Sequence, residues 1–191
     1  MLHRLSPLAL VAALVVATPA SAADYAIDTK GAHASINFRV NHLGFSWLTG
    51  RFDTFSGTFS YDASAPEASK VSVEIDTNSV NSNHAERDKH LRNEDFLDVS
   101  KFPKATFVSK SIEPAGDGKA KIVGDFTLRD VTKEITIDAE FVGAGSDPWG
   151  GERAGFKGTT TLALADYGIT FDLGPAGKEV YLDLHVEGVK Q

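Results

Sequence analysis

Apolar and polar residues alternate along much of this 191-residue chain. In the segment 35–41, which reads SINFRVN, every second residue is apolar, and the segments 71–76, 134–141 and 179–187 repeat the pattern. A period of two predicts β-strands with one apolar face and one solvated face. This two-sided character is typical of antiparallel sheets, because parallel strands are usually covered on both faces.

Weaker strand patterns fill the intervals, and turn-forming residues separate them. These strands are predicted near 25–28, 54–61, 106–112, 119–128 and 154–165. Turns are predicted at 62–66, 114–118, 129–130, 143–151 and 174–177. Roughly eight regularly spaced strands indicate an all-β antiparallel sandwich or barrel. The interior of an eight-stranded barrel holds either packed side chains or one small ligand, and the pattern is compatible with both.

Two segments depart from the strand pattern. The run NHAERDKHLRN, which begins at Asn83, predicts a short helix at roughly 84–93, with Asn83 as its cap and Glu86 completing an approximate capping box. Asp88 and Arg92 are four residues apart and are expected to pair on one helix face. The segment 44–50 is predicted to be a loop whose aromatic rings pack at a barrel mouth or against a partner.

Charge and cysteine content exclude several classes of protein. The chain has 19 Lys and Arg against 26 Asp and Glu, which gives a net charge of −7. An acidic chain with scattered basic residues is a poor nucleic-acid binder. The chain has no cysteine, so disulfides, thiolate metal sites and thiol nucleophiles are excluded.

The first residues have the pattern of a secretory signal peptide. Basic His3 and Arg4 precede an apolar run at 8–16, and Pro19 and the small triplet Ala20–Ala22 follow. The apolar run is too short to span a membrane. We expect cleavage after Ala22, so that residues 1–22 are the signal peptide and 23–191 form a single exported domain.

Several motifs, in order along the chain, resemble those of the YceI-like family. The most specific are HAERD-x-HLR from His84, with DFL from Asp95 and KFP from Lys101, and GDFTLRDVTK from Gly124. The motifs NHLG from Asn41, DPWG from Asp147 and RAGF from Arg153 fit as well. The match extends from about Tyr25 to Gly188.

This resemblance implies a lipocalin-like antiparallel barrel with an elongated apolar pore. It also implies a polyisoprenoid or quinone-type lipid as ligand and a periplasmic location. A homodimer is compatible with the resemblance. Without the resemblance, a dry packed core would be the simpler interpretation. With it, the inward faces of the strands become the predicted ligand-binding pore: Phe38, Val40, Phe59, Val73, Phe107, Phe126, Leu128, Phe141, Phe156, Leu162 and Leu182.

The polar helix has two interpretations. It contributes either a contact for a lipid head group or a structural hydrogen-bond network, and the residues concerned are His84, Arg87, Asp88, His90 and Arg92. Trp149 joins this set as a cap or plug of one barrel end. A metal-dependent enzyme would use His84, Asp88 and His90, but a zinc site needs three or four protein ligands in one place.

The sequence contains no convincing catalytic set. No G-x-S-x-G elbow is present, and the glycines at 143–151 do not open a helix after a strand as a nucleotide loop would. We therefore predict a periplasmic binding or carrier protein for a long isoprenoid lipid, with no enzymatic activity, no cofactor, no metal and no membrane span. The alternatives are a stress-related interaction protein without a physiological lipid and, third, the metal-dependent enzyme.

Overall fold

The computed structural model describes residues 22–191, so the predicted signal peptide lies outside the described residues except for Ala22. Strands dominate this part of the chain. They are β1 (Ala23–Ile27), β2 (Ser35–His42), β3 (Ser46–Phe52), β4 (Phe55–Tyr61), β5 (Lys70–Asp76), β6 (Val80–Asn81), β7 (Lys104–Gly116), β8 (Lys119–Leu128), β9 (Val131–Ser146), β10 (Glu152–Ala163) and β11 (Glu179–Lys190). The helix α1 (Ala85–Arg92) lies between β6 and β7.

The strands form one closed antiparallel barrel with eight strand positions. Along the sheet the order is β1, β4, β5, β7, β8, β9, β10 and β11, and β11 pairs with β1 to close it. The C-terminal end of β11 pairs with β1, while its N-terminal half pairs with β2. β2 pairs with β3, and β3 pairs with β6. These three strands continue the strand positions of β1, β4 and β5, respectively, toward one end of the barrel, which we call the upper end. This closure confirms the predicted all-β barrel.

Two hairpins are closed by two-residue turns whose backbone suits the twist of the strands. Asp117 and Gly118 join β7 to β8 with φ values of 51° and 73°. Arg129 and Asp130 join β8 to β9 with φ values of 52° and 57°. Positive φ at both central positions is the geometry that two-residue hairpins favour.

The period-two pattern places one face of each strand inside the barrel. The main buried cluster includes Ile36, Phe38, Phe107, Phe126 and Leu162, which come from strands all around the barrel. A smaller cluster surrounds the closing pair β1–β11 and is built on Tyr25 and Phe59. The core therefore runs along the whole barrel axis.

The ladder between β9 and β10 stops partway along the barrel. Its last register pair is Thr159 with Asp138. Above it, the Thr160 hydroxyl donates to the Thr136 carbonyl oxygen at 2.8 Å. The 3₁₀ turn Leu164–Tyr167 packs against both strands at this position, and its Tyr167 is 2% exposed. Residues of both strands and of this turn line a cleft of about 730 Å³ where the backbone pairing ends.

The helix lies where it was predicted, but its cap is different. His84, not Asn83, is the N-cap residue, because its Nδ1 accepts the Arg87 backbone N–H at 3.2 Å. Asn83 precedes it in the left-handed region, with φ of 59°. Asp88 and Arg92 do not pair with each other but bond to other partners. In residues 22–191, no helix has the length and apolarity needed to span a membrane.

The segment 44–50 was wrongly predicted to be a loop. Only its first residues form a turn, and β3 begins at Ser46. Trp47 packs edge-on against Tyr181 at 5.4 Å, and Arg39 lies over the Trp47 ring at 4.9 Å. Phe45 remains 86% exposed at the hairpin tip. The strand pattern was hidden because the exposed face of β3 carries Trp47 and the opposite face carries Gly50.

Candidate functional site

Three cavities follow one another along the inside of the barrel. The upper cavity, at the end covered by α1, has a volume of about 120 Å³. The middle cavity has about 110 Å³, and the lower cavity, at the opposite end, has about 370 Å³. We call the three together the bore.

Neighbouring cavities share lining residues, so they lie end to end. Ile36, Ile75, Phe126 and Leu182 line both the upper and the middle cavity. The middle and lower cavities share another set: Val71, Ile122, Ala139, Phe156 and Val186. Between them, the inward residues of β11 from 180 to 186 line all three cavities. This stretch of strand measures about 20 Å. The bore is therefore long and narrow.

All eleven residues predicted for the pore line these cavities. Phe38, Val40, Leu128 and Leu162 lie in the upper part, and Val73 and Phe107 in the middle. The others line the lower cavity or a boundary between cavities: Phe59, Phe126, Phe141, Phe156 and Leu182. Strand alternation alone was sufficient to place them.

The upper end of the bore is closed by side chains that are not among the predicted pore residues. This closure is built by residues outside the barrel strands, from α1, from the loop after it and from the connector between β10 and β11. These residues are Leu91, Phe96, Leu97, Leu164, Tyr167, Ile169 and Leu173. The apolar pair Phe96–Leu97 after a polar helix was the available signal, while the connector lacks any regular period.

Polarity differs between the two ends of the bore. Tyr167 is the one lining residue of the upper cavity with a polar side-chain atom, and burial raises its pKa to about 12. The lower cavity is also lined by Ser69, Lys70, Lys119 and Glu140. The Ser69 hydroxyl is buried and has no hydrogen-bond partner within residues 22–191. Polar groups that could meet a head group are therefore concentrated at the lower end.

Aromatic rings surround the lower cavity. Phe59 stacks on Tyr25 with ring centroids 4.9 Å apart, and Phe156 meets Phe59 edge-on at 5.5 Å. Tyr61 stacks on Phe141 at 5.6 Å, and burial raises the pKa of Tyr61. These rings give the cavity a rigid apolar wall beside its polar rim.

The first half of the predicted helix network fixes the start of α1. The Asp88 carboxylate accepts the backbone N–H of Ser82 at 2.7 Å and also its hydroxyl. Arg87 donates from Nε to the Ser82 hydroxyl at 2.7 Å and from a terminal nitrogen to the Ser82 carbonyl at 2.6 Å. Both side chains therefore bond to Ser82, in the segment that leads from β6 into the helix.

The second half of the network fixes the end of α1. Arg92 donates to the carbonyl oxygens of Asn78 and Val80, each at 2.7 Å. His90 pairs with Asp95 at 3.1 Å, and its ring meets Phe96 edge-on at 4.9 Å. None of these side chains lines the bore, so the geometry favours the structural interpretation of the network over the head-group one.

The metal-dependent alternative needs His84, Asp88 and His90 to converge. In the part of the chain that the structure describes, they do not form a group of ligand atoms within 4.8 Å of one another. Such a group is formed by Asp28, His33 and Glu187. Arg153 already donates to the Asp28 and Glu187 carboxylates at 2.8 and 2.6 Å, so part of their negative charge is compensated without a metal.

The same arginine holds the turn between β9 and β10. Its Nε donates to Asp147 at 2.8 Å, and this contact is the main reason why the pKa of Asp147 is lowered. The pKa of Asp28 is also lowered, first by its hydrogen bond with His33 and then by Gly31 and Arg153.

Trp149, predicted to cap or plug a barrel end, is 82% exposed and does not line any of the three cavities.

Comparison with known proteins identifies the relatives of this chain. Residues 25–188 match the YceI-like domain. The chain belongs to the YceI-like family. It is 61% identical to a UPF0312 protein of Shewanella sp. (strain ANA-3) over 178 residues, 93% of each chain. It is 59% identical to a UPF0312 protein of Shewanella baltica (strain OS155) over 180 residues, 94% of each chain.

Solved structures show the same fold. The YceI protein of Campylobacter jejuni aligns with a TM-score of 0.72 at 29% identity, covering 80% of this chain and 90% of that one. BcnA of Burkholderia cenocepacia aligns with a TM-score of 0.74 at 19% identity, covering 84% and 98%. A polyisoprenoid-binding domain from Saccharophagus degradans aligns with a TM-score of 0.62 at 15% identity, covering 90% and 100%. The last two support the fold alone.

Proposed function

We propose that this YceI-like protein binds a long isoprenoid lipid, of polyprenyl or quinone type, inside the bore. The observation that carries the proposal is a series of three neighbouring, mainly apolar cavities along the barrel, where a simple β-barrel core would be packed solid. The Saccharophagus degradans domain with the same fold is a polyisoprenoid-binding domain, and this supports our choice of ligand class.

Desolvation of the lipid chain is the proposed binding mechanism. Each methylene group removed from water contributes roughly 0.8 kcal/mol. Ten such groups contribute about 8 kcal/mol, comparable to a micromolar dissociation constant before ordering costs are subtracted. The narrow bore suits an extended chain whose only branches are single methyl groups, as in a polyprenyl tail, better than a globular molecule. In this mechanism no bond is made or broken.

The biological role that we propose is that of a periplasmic carrier, which shields an insoluble tail while the lipid crosses water. The signal-peptide pattern with predicted cleavage after Ala22 and the absence of cysteine support that compartment. Cell fractionation of the native producer tests the location. Recovery of the mature protein from the cytoplasm would contradict it.

Organic extraction of the purified protein, followed by mass spectrometry, tests the ligand. We expect release of an isoprenoid lipid in stoichiometric amount. A protein that releases no lipid and takes up none when offered decaprenol would refute the proposal in favour of an interaction protein without a lipid. Elemental analysis in the same preparation tests the metal-dependent alternative, which requires stoichiometric metal.

A further inference from the structure

The tip of the β9–β10 hairpin is an unusually apolar part of an acidic chain. Residues 141–151 read FVGAGSDPWGG and include a single charged side chain, that of Asp147. A Cβ atom added at Gly143, Gly145 or Gly150 would meet nothing within 4 Å, so the tip stands clear of the rest of the protein. Trp149 lies at this tip and is 82% exposed.

Hydrogen bonds hold the turn in one conformation. Asp147 Oδ1 accepts the backbone N–H groups of Trp149 at 3.0 Å and Gly151 at 2.8 Å. Asp147 Oδ2 accepts from Arg153, which also bonds to two carboxylates on neighbouring strands. The Asp147 side chain is only 8% exposed, so its charge is neutralised and kept away from solvent. The indole is therefore presented on a rigid turn whose single carboxylate, that of Asp147, is buried against Arg153.

This turn lies at the lower end of the bore. Phe141 on β9 and Phe156 on β10 line the lower cavity, and the hairpin continues past them to the Trp149 turn. The indole ring thus projects beyond the rim through which the lower cavity and its polar lining are reached. Val142 on the same hairpin is 68% exposed, so the exposed apolar surface at this end is larger than one ring, and such a patch points to an interaction surface.

We propose that the Trp149 turn docks the lower end of the barrel onto the surface of a lipid bilayer. Tryptophan is enriched at membrane interfaces because its ring is apolar while its N–H needs a polar partner. Docking in this orientation places the lower cavity against the bilayer, where the lipid tail passes between membrane and bore. The inference rests on the proposed lipid-binding function. A single ring gives weak and reversible attachment, as a carrier requires.

Sedimentation with vesicles of phosphatidylethanolamine and phosphatidylglycerol in equal parts tests the docking. Trp149→Ser removes the ring and is expected to lower vesicle binding about tenfold or more. The matched control is Phe45→Ser, which removes a ring that is 86% exposed at the opposite end of the barrel and should leave binding unchanged. Equal loss in both variants, or loss only in Phe45→Ser, would overturn the proposal.

Loading experiments separate this inference from the proposed function. Decaprenol is supplied either within the same vesicles or dispersed from ethanol. Trp149→Ser should load about tenfold more slowly from vesicles but at the wild-type rate from the dispersion. If both proteins load at equal rates from vesicles, the docking proposal is wrong while lipid binding stands. If neither protein takes up decaprenol by either route, lipid binding itself is wrong.

Discussion

A single substitution at Ala139 should block the bore between its middle and lower cavities. Ala139 lies on the inward face of β9 and lines both of them. A cavity of about 150 Å³ suffices for one benzene ring. The ring introduced by Ala139→Phe would therefore fill the 110 Å³ middle cavity, and a lipid chain would have to stop in the lower one.

The expected loss follows from the volume above the block. The middle and upper cavities have about 110 and 120 Å³. At about 30 Å³ per group, close to the volume of one water, they hold roughly eight chain carbons. Eight groups at roughly 0.8 kcal/mol each correspond to about 6 kcal/mol. If ordering of the chain offsets half of this, about 3 kcal/mol remains, which is roughly a hundredfold in affinity.

A binding series with prenols of increasing length measures this effect. Wild-type affinity should rise with chain length, whereas the affinity of Ala139→Phe should stop rising once the lower cavity is filled. Ala144→Phe is the control, because Ala144 is exposed on the same strand and lines none of the three cavities. If Ala139→Phe folds normally and still binds long prenols as tightly as the wild type, the bore is not the binding site.

Three further predictions concern stability. Arg153→Met should lower the melting temperature by a few degrees at pH 7. Arg153 is the main reason why the pKa of Asp147 is lowered, so this stabilisation is present above about pH 4 and is lost progressively as the pH falls below that value. Scans at pH 7 and pH 3 should therefore show the difference between the two proteins shrinking. Asp88→Ala leaves the buried Ser82 N–H without its acceptor and should cost about 2 kcal/mol in urea unfolding, while Asp88→Asn, which keeps an acceptor, should cost less. Gly188→Ala would bring a Cβ within 2.4 Å of the Phe59 ring, so it should destabilise the barrel closure by about 1–3 kcal/mol in the same assay, and a neutral result would mean that the ring can move.

The strands and the bore-facing residues could be predicted from sequence because they depend on a local period. In β11, alternation from Val180 to Val186 determines which side chains point inward, and the register of the neighbours changes nothing in that choice. The same reasoning succeeded for Phe38, Phe126 and Leu162. Binary patterning, however, contains no information on whether the inward side chains meet across the axis, so the cavities became visible only in three dimensions.

Features that depend on tertiary contacts were missed for a physical reason. β6 has two residues, too few to show a period, and exists because β3 offers it a partner. The cap of α1 moved from Asn83 to His84 because Asp88 and Arg87 both bind Ser82 and so fix where the chain turns into the helix. The turn that carries Trp149 is held by Arg153, which also bonds to Asp28 and Glu187, 125 and 34 residues away in sequence.

The uneven polarity of the bore predicts the orientation of the ligand. The upper cavity is closed by apolar side chains, whereas Ser69, Lys70 and Lys119 lie along the lower one. Burying an unpaired polar head group in the upper cavity would cost several kcal/mol, so the tail should occupy the upper end. Two proteins without the natural tryptophans, one with Phe96→Trp and one with Phe141→Trp, report on the two ends by fluorescence. A prenol brominated at its tail should quench the first far more than the second, and a lipid brominated at its head should do the reverse; equal quenching of both by either lipid would mean that the chain binds in both directions.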